Sequence, residues 1–396
     1  MQIHPLIETS AALAEFVDLI KGSDFIAVDT EFMRENTFWP ELCLIQVADS
    51  EHAAAIDPMA AGIDLKPLLD LMVNDEDVLK VFHAGGQDVE IIFNLTGKTP
   101  HPIFDTQIGQ MAIGQAEQVG YSNLVESWLG LQLDKGARFT DWSRRPLDKR
   151  QIDYAIGDVT HLAKIFPMML KKLVKTGRGH WLDEEMEKLA DPTNYSVDPD
   201  KAWQRIKVPS RKPEVLGRLQ ALAAWREREA RSKNLPRGRI VKDETLADLA
   251  AHPPKDQDGL GRVRGLSATW KTNDIGGRLM DAIAGAKPMA KDDMPDRAPR
   301  GPGLGKEGVL VADLLKLLLK IRARELNVAA RLIARSDDLE ALAAGARGDL
   351  PMMQGWRYDV FGNAALDLVE GRMGFAVKNG KLVMSEIDAA TAASEA

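Results

Sequence analysis

Phe25-Ile26-Ala27-Val28-Asp29-Thr30-Glu31-Phe32 is the stretch that decides the fold. Its apolar opening reads as a buried β-strand. Side chains alternate across a strand, so Asp29 and Glu31 share one face. Two like charges held side by side at the end of a buried strand repel, and a cation between them relieves the repulsion. Oxygen ligands without Cys or His neighbours suit Mg²⁺ or Mn²⁺. With 59 acidic residues in a chain of 396, acid pairs at this spacing also arise by chance. Their meaning depends on what else the chain brings to the same place.

Working outward, residues 1 to about 180 alternate strand-like and helical patterns. Strands are expected at 24–30, 41–48, 52–57 and 79–83, and helices at 64–73, 86–95, 104–113, 121–129 and 148–175. The first two strands, joined by turn-like Glu35-Asn36-Thr37-Phe38-Trp39-Pro40, lie close enough in sequence to pair antiparallel. The pattern is an α/β layer with a mixed sheet. Polar residues 191–199, with Asp191-Pro192 and Asp198-Pro199, read as a linker. Residues 210–285 are helical around a Pro253-Pro254 loop, 286–308 form a second linker rich in Pro and Gly, and 309–372 are helical again. The final stretch, ending Ala389-Ala390-Thr391-Ala392-Ala393-Ser394-Glu395-Ala396, is expected to fray. The similar length of the two helical stretches hints at a degenerate repeat.

Two further elements carry acids. Val81-Phe82-His83-Ala84-Gly85-Gly86-Gln87-Asp88 is a short strand, a tight glycine turn and the first turn of a helix. Asp88 then faces the carboxyl end of the sheet, where α/β sites sit. Tyr154-Ala155-Ile156-Gly157-Asp158 places Tyr154 and Asp158 on one helix face. Asp29, Glu31, Asp88 and Asp158 can therefore converge, and four carboxylates suit two divalent ions about 3.5–4 Å apart, an arrangement for in-line phosphoryl displacement. A tyrosine hydroxyl beside such carboxylates can aim a water. No G-x-x-x-x-G-K-[ST] run is present, so nucleoside triphosphates are not expected. No C-x-x-C or H-E-x-x-H occurs, which disfavours zinc. Gly301-Pro302-Gly303-Leu304-Gly305 follows no strand and is not a dinucleotide loop.

Composition is that of a globular protein, 45% hydrophobic and 28% charged, with no run long and apolar enough to span a membrane. The N-terminal residues lack a signal-peptide pattern, and the single cysteine, Cys43, sits in an apolar run and reads as core. A cytoplasmic location is expected. Net charge is −8, yet twelve basic residues between Lys201 and Arg239 face only Glu214, Glu227 and Glu229. Such a local excess can track a phosphate backbone, with Arg226, Arg231, Lys233 and Arg237 as candidate nucleic-acid-binding residues.

The segments around Asp29/Glu31, Asp88 and Tyr154/Asp158 resemble the three exonuclease motifs of the DEDDy family of 3′→5′ exonucleases, and its ribonuclease D branch most closely. Phe104-Asp105-Thr106-Gln107, Leu133-Asp134-Lys135 and Asp141-Trp142-Ser143-Arg144-Arg145-Pro146-Leu147 extend the likeness. Leu222 to Ala230, Asn234-Leu235-Pro236-Arg237 and Lys242-Asp243-Glu244 resemble the helical HRDC domain. The resemblance implies a ribonuclease H-like exonuclease domain over 1–200, an HRDC domain over 210–286, a linker over 287–308 and a second, divergent HRDC-like domain over 309–375. It implies a metal-dependent 3′→5′ exoribonuclease that trims structured RNA precursors, tRNA foremost, and releases nucleoside 5′-monophosphates. Asp29 would bridge two ions, Glu31 and Asp158 would complete the first, Asp88 would serve the second, and Tyr154 would orient water. A 3′→5′ DNA exonuclease and a non-catalytic nucleic-acid-binding scaffold stay open as alternatives.

Overall fold

The run from Phe25 becomes strand β2 of a six-stranded sheet, because its alternate residues find apolar partners on both faces. The strands are β1 Gln2–Ile3, β2 Phe25–Met33, β3 Glu41–Ala48, β4 His52–Ile56, β5 Leu79–Phe82 and β6 Ile103–Asp105, in the spatial order β1-β4-β3-β2-β5-β6. β2 pairs antiparallel with β3 and parallel with β5, so the sheet is mixed as expected. Ile26 and Val28 join Ile45, Val47 and Ile56 on one face, packed with the helix Ser10–Ile20 through Leu13, Phe16, Val17 and Ile20. The opposite face holds Cys43, Leu44, Ala55, Trp142, Ala155 and Ile156. Cys43 is fully buried, as its apolar run predicts.

This computed structural model describes residues 1–134, 136, 140–207, 210–294 and 304–387. They form two units. One gathers Met1–Ile103, Asp134–Ala163 and Lys188–Asp296, and so contains both the acid-bearing motifs and the first helical region. There the helix Pro213–Ser232 buries Leu216, Leu219 and Leu222 against the helices Asp243–Ala251 and Asp274–Ala284. The same core takes in Ala202, Trp203 and Ile206, together with Phe38 from the β2–β3 loop.

Several expectations change here. Residues 191–199 are not an open linker. Asp191 and Asp198 each cap a short 3₁₀ turn by accepting a backbone N–H two residues on, and Tyr195 donates to the Leu189 carbonyl. The second linker is also packed at its start: Met289 is buried in the helical core and its N–H donates to the Pro213 carbonyl. Residues 295–303 of that linker, Lys135 of the quoted motif and the C-terminal residues 388–396 lie outside the described residues.

The other unit gathers Phe104–Leu133, Lys164–Glu187 and Arg297–Ala396. Its longest wholly internal helix is Lys306–Leu326. Trp181 stacks on Trp356 at 4.1 Å, and the buried Arg357 donates to the Leu332 carbonyl and to Glu184. A hairpin of Met373–Lys378 and Lys381–Glu386 follows, in the final stretch that was expected to fray. Its turn is Asn379-Gly380, with both residues at positive φ, the backbone that a two-residue hairpin needs.

Candidate active site

Asp29 and Glu31 stand on the face of β2 that looks toward the helix Lys149–Thr176, which carries Tyr154 and Asp158. Carboxylate oxygens of Asp29, Glu31 and Asp158 all lie within 4.8 Å of one another. Asp158 is buried, while Asp29 and Glu31 keep partial exposure. Desolvation by the surrounding protein, and then the charge of Asp158, push the Asp29 carboxyl from its ordinary 3.8 up to about 8, against a backbone hydrogen bond at Thr30. Three acids gathered this closely need a counter-charge. The donors are all carboxylate oxygens, the set that hard divalent cations prefer, so the residues fit such an ion.

Asp88 is placed differently. It is buried in the first turn of the helix Gly86–Thr96 and accepts a hydrogen bond from the Thr30 hydroxyl. It is not one of the three acids that gather within 4.8 Å. The turn before it also departs from expectation. Gly86 has open space where a Cβ would go, and the left-handed residue is Ala84 at φ 55°. Only Gly85 is sterically required, since a Cβ there would meet Phe82 at 2.5 Å.

Tyr154 lies one helical turn before Asp158, and its ring sits 6.2 Å from that of Trp142. Trp142 is held in place by its neighbour Arg145. That side chain donates to the Trp142 carbonyl, to both oxygens of the buried Asp57 and to the Cys43 carbonyl. These bonds tie the Asp141-to-Leu147 segment to β3 and to Asp57 just past β4. One residue escaped sequence reasoning. Gln46 pairs in register with Asp29 across β2 and β3, is fully buried, and has neither amide atom hydrogen-bonded to the protein. The signal was a lone amide in the apolar run Leu44-Ile45-Gln46-Val47.

The four candidate nucleic-acid-binding residues are engaged within the helical region. Arg226 is 5% exposed and donates to the Val241 carbonyl and to Asp243, so it is a structural arginine and not a surface phosphate contact. Arg231 and Arg237 both bind Glu227, which is 1% exposed. Lys233 lies 3.1 Å from Glu229, which Arg278 also grips. Glu227 shows the balance. Burial works to raise its pKa, while the hydrogen bonds and charges of Arg237 and then Arg231 outweigh that and hold the carboxyl low. Much of the basic excess counted along the sequence is thus neutralised locally.

The chain matches a 3′-5′ exonuclease family over residues 5–174 and the HRDC domain family over residues 215–283. Ribonuclease D of Sphingobium indicum is 71% identical over 97% of this chain and 99% of that protein. Ribonuclease D of Zymomonas mobilis is 62% identical over 98% of this chain and all of that protein. Among solved structures, Escherichia coli RNase D, described as an exoribonuclease involved in structured RNA processing, superposes with a TM-score of 0.77 at 29% identity. That likeness covers 94% of this chain and 99% of that one. A protein from Bifidobacterium adolescentis shares the fold, with a TM-score of 0.67 at 20% identity over 93% of this chain and 97% of that one. From its carboxylate-bearing sheet to its helical region, the chain belongs to the ribonuclease D family of 3′→5′ exoribonucleases.

Proposed function

We propose that this enzyme removes nucleotides from the 3′ ends of structured RNA precursors, tRNA precursors foremost, and releases nucleoside 5′-monophosphates. The observation that carries the reading is the cluster of Asp29, Glu31 and Asp158 within 4.8 Å, one helical turn from Tyr154. Residues 1–200 are read as the catalytic domain, with HRDC-type helical domains at 210–286 and 309–375 joined through 287–308.

Asp29, Glu31 and Asp158 would hold a first divalent cation, Mg²⁺ or Mn²⁺, and Asp88, which lies outside that cluster, would serve a second together with Asp29. Such ions, when bound, stabilise the charge that develops on a phosphate during displacement. The protein's own groups do the rest. Tyr154 orients the water that attacks the terminal phosphodiester, and Trp142 and Ala155 pack beside it. The Thr30 hydroxyl donates to the Asp88 carboxylate and so holds that acid in a fixed orientation.

The test is digestion of matched RNA and DNA oligonucleotides labelled at the 5′ end, with Mg²⁺, with Mn²⁺ and with EDTA. The expected result is a ladder shortened one nucleotide at a time, 5′-monophosphate products, RNA cut well ahead of DNA and no cleavage in EDTA. DNA cut as fast as RNA would redirect the assignment to a DNA exonuclease. Cleavage that survives EDTA would remove the metal from the reading.

A further inference from the structure

The segment 34–40 leaves β2 directly after the catalytic face and has no regular structure of its own. It emerges at the carboxyl end of β2, the end at which Asp29, Glu31 and the Asp88 helix meet. Two clamps hold it. At its start, Arg34 forms a two-pronged ion pair with Glu90, at 2.7 and 2.8 Å, on the helix that carries Asp88. Near its end, the backbone N–H groups of Phe38 and Trp39 both donate to the side-chain oxygen of Asn234, each at 3.1 Å.

Asn234 belongs to the helical region, just past the helix Pro213–Ser232. It sits at φ 47°, a left-handed conformation that Asn tolerates better than most residues. The neighbouring Leu235 N–H returns to the Ala230 carbonyl and closes the helix end. Arg237 lies 4.5 Å over the Phe38 ring, and Arg231 lies 5.7 Å from it. Both guanidiniums are anchored by the buried Glu227, so the platform under Phe38 is rigid.

We infer that Asn234 is a positioning residue for catalysis, through which the helical region fixes the loop at the rim of the carboxylate site. The helical region then completes the catalytic centre as well as serving any grip on RNA. This rests on the reading of Asp29, Glu31 and Asp158 as the reacting site. A loop free to drift there would misplace the terminal nucleotide, and small misplacements at a reacting centre cost large factors in rate.

Two substitutions separate the hydrogen bonds from the backbone shape. Asn234→Gly keeps the left-handed conformation and removes the acceptor. Asn234→Asp keeps both. Hydrogen exchange at the Phe38 and Trp39 amides should quicken by about 10-fold in the Gly variant and stay near wild type in the Asp variant. With a short single-stranded RNA, kcat of the Gly variant should fall by about 5–10-fold with KM unchanged, and Asp should restore it. Both are measured in the full chain, well below its melting temperature. Unchanged exchange would overturn the clamp. Faster exchange with an unchanged kcat would overturn the link to catalysis, because a purely structural role predicts that outcome. Arg237→Gln, which takes the guanidinium off Phe38, gives the same two readouts should the Gly variant not fold. Asp29→Asn is run in parallel: if it cleaves normally, the underlying site reading has failed, and not the clamp alone.

Discussion

Asp29→Asn tests the site through stability as well as rate. With no cation bound, burial and then the Asp158 charge place the Asp29 carboxyl at about 8 in the folded chain, against 3.8 ordinarily. Between those values the folded state holds a proton that the unfolded state has released. The Asp29 contribution to stability is therefore complete at the acid end and falls as pH rises through the window, levelling off above about 8. Each pH unit above 3.8 costs about 1.4 kcal/mol, so the penalty at pH 7 has an upper bound of about 4 kcal/mol. Partial solvent contact at Asp29 lowers the realised figure. Asparagine is neutral at every pH and escapes the penalty. In EDTA the variant should melt several degrees above wild type at pH 8, and the gap should close toward pH 4. Mg²⁺ should raise the wild-type midpoint and leave the variant nearly still, while the variant loses almost all cleavage. Melting followed by fluorescence is practical in a chain with 8 tryptophans. Equal midpoints in EDTA at pH 8, or an equal response to Mg²⁺, would refute the reasoning.

Tyr154→Phe keeps the ring beside Trp142 and removes one hydroxyl, so kcat should fall by about 10²–10⁴ with RNA affinity unchanged; lost affinity at intact kcat would point to stacking instead. Glu227→Gln leaves Arg231 and Arg237 facing a neutral amide and should cost about 3–5 kcal/mol in urea unfolding at pH 7. Because the Glu227 pKa is held low, the wild-type advantage should be present above the ordinary 4.5 and fade as pH falls below it. Replacing the exposed Lys207, Arg211 and Lys212 by Gln should weaken RNA binding in Ca²⁺ and flatten its salt dependence by roughly 0.7–0.9 per lost contact. An unchanged slope would show that this stretch does not meet phosphate.

What the sequence revealed and what it hid follow from which interactions are local. β2 was legible because burial and period-two alternation are written along one strand, and the Tyr154–Asp158 pair because one helical turn is a fixed spacing. The nearness of Asp158 to Asp29 is long-range, so spacing along the chain said only that the acids can converge, and the family resemblance supplied their roles. The Thr30–Asp88 bond was not legible, since it joins a strand to a later helix. Some misses had local signals. Thr9 caps the helix Ser10–Ile20, whose Leu13, Phe16, Val17 and Ile20 recur at helical spacing, and Asn379-Gly380 announced the C-terminal hairpin. β1 and β6, of two and three residues, are too short to carry a pattern. The basic cluster misled for a different reason. Counting charges treats each as exposed, whereas Glu227–Arg231 and Glu229–Lys233 stand four apart and pair along one helix. Arg226 was the harder case, because its partners Val241 and Asp243 come from a later turn. Charge in this region therefore works first to lock the helical core around Phe38. Lys201, Arg205, Lys207, Arg211, Lys212, Arg228, Lys233 and Arg239 stay exposed, and any contact this region makes with phosphate would start from these.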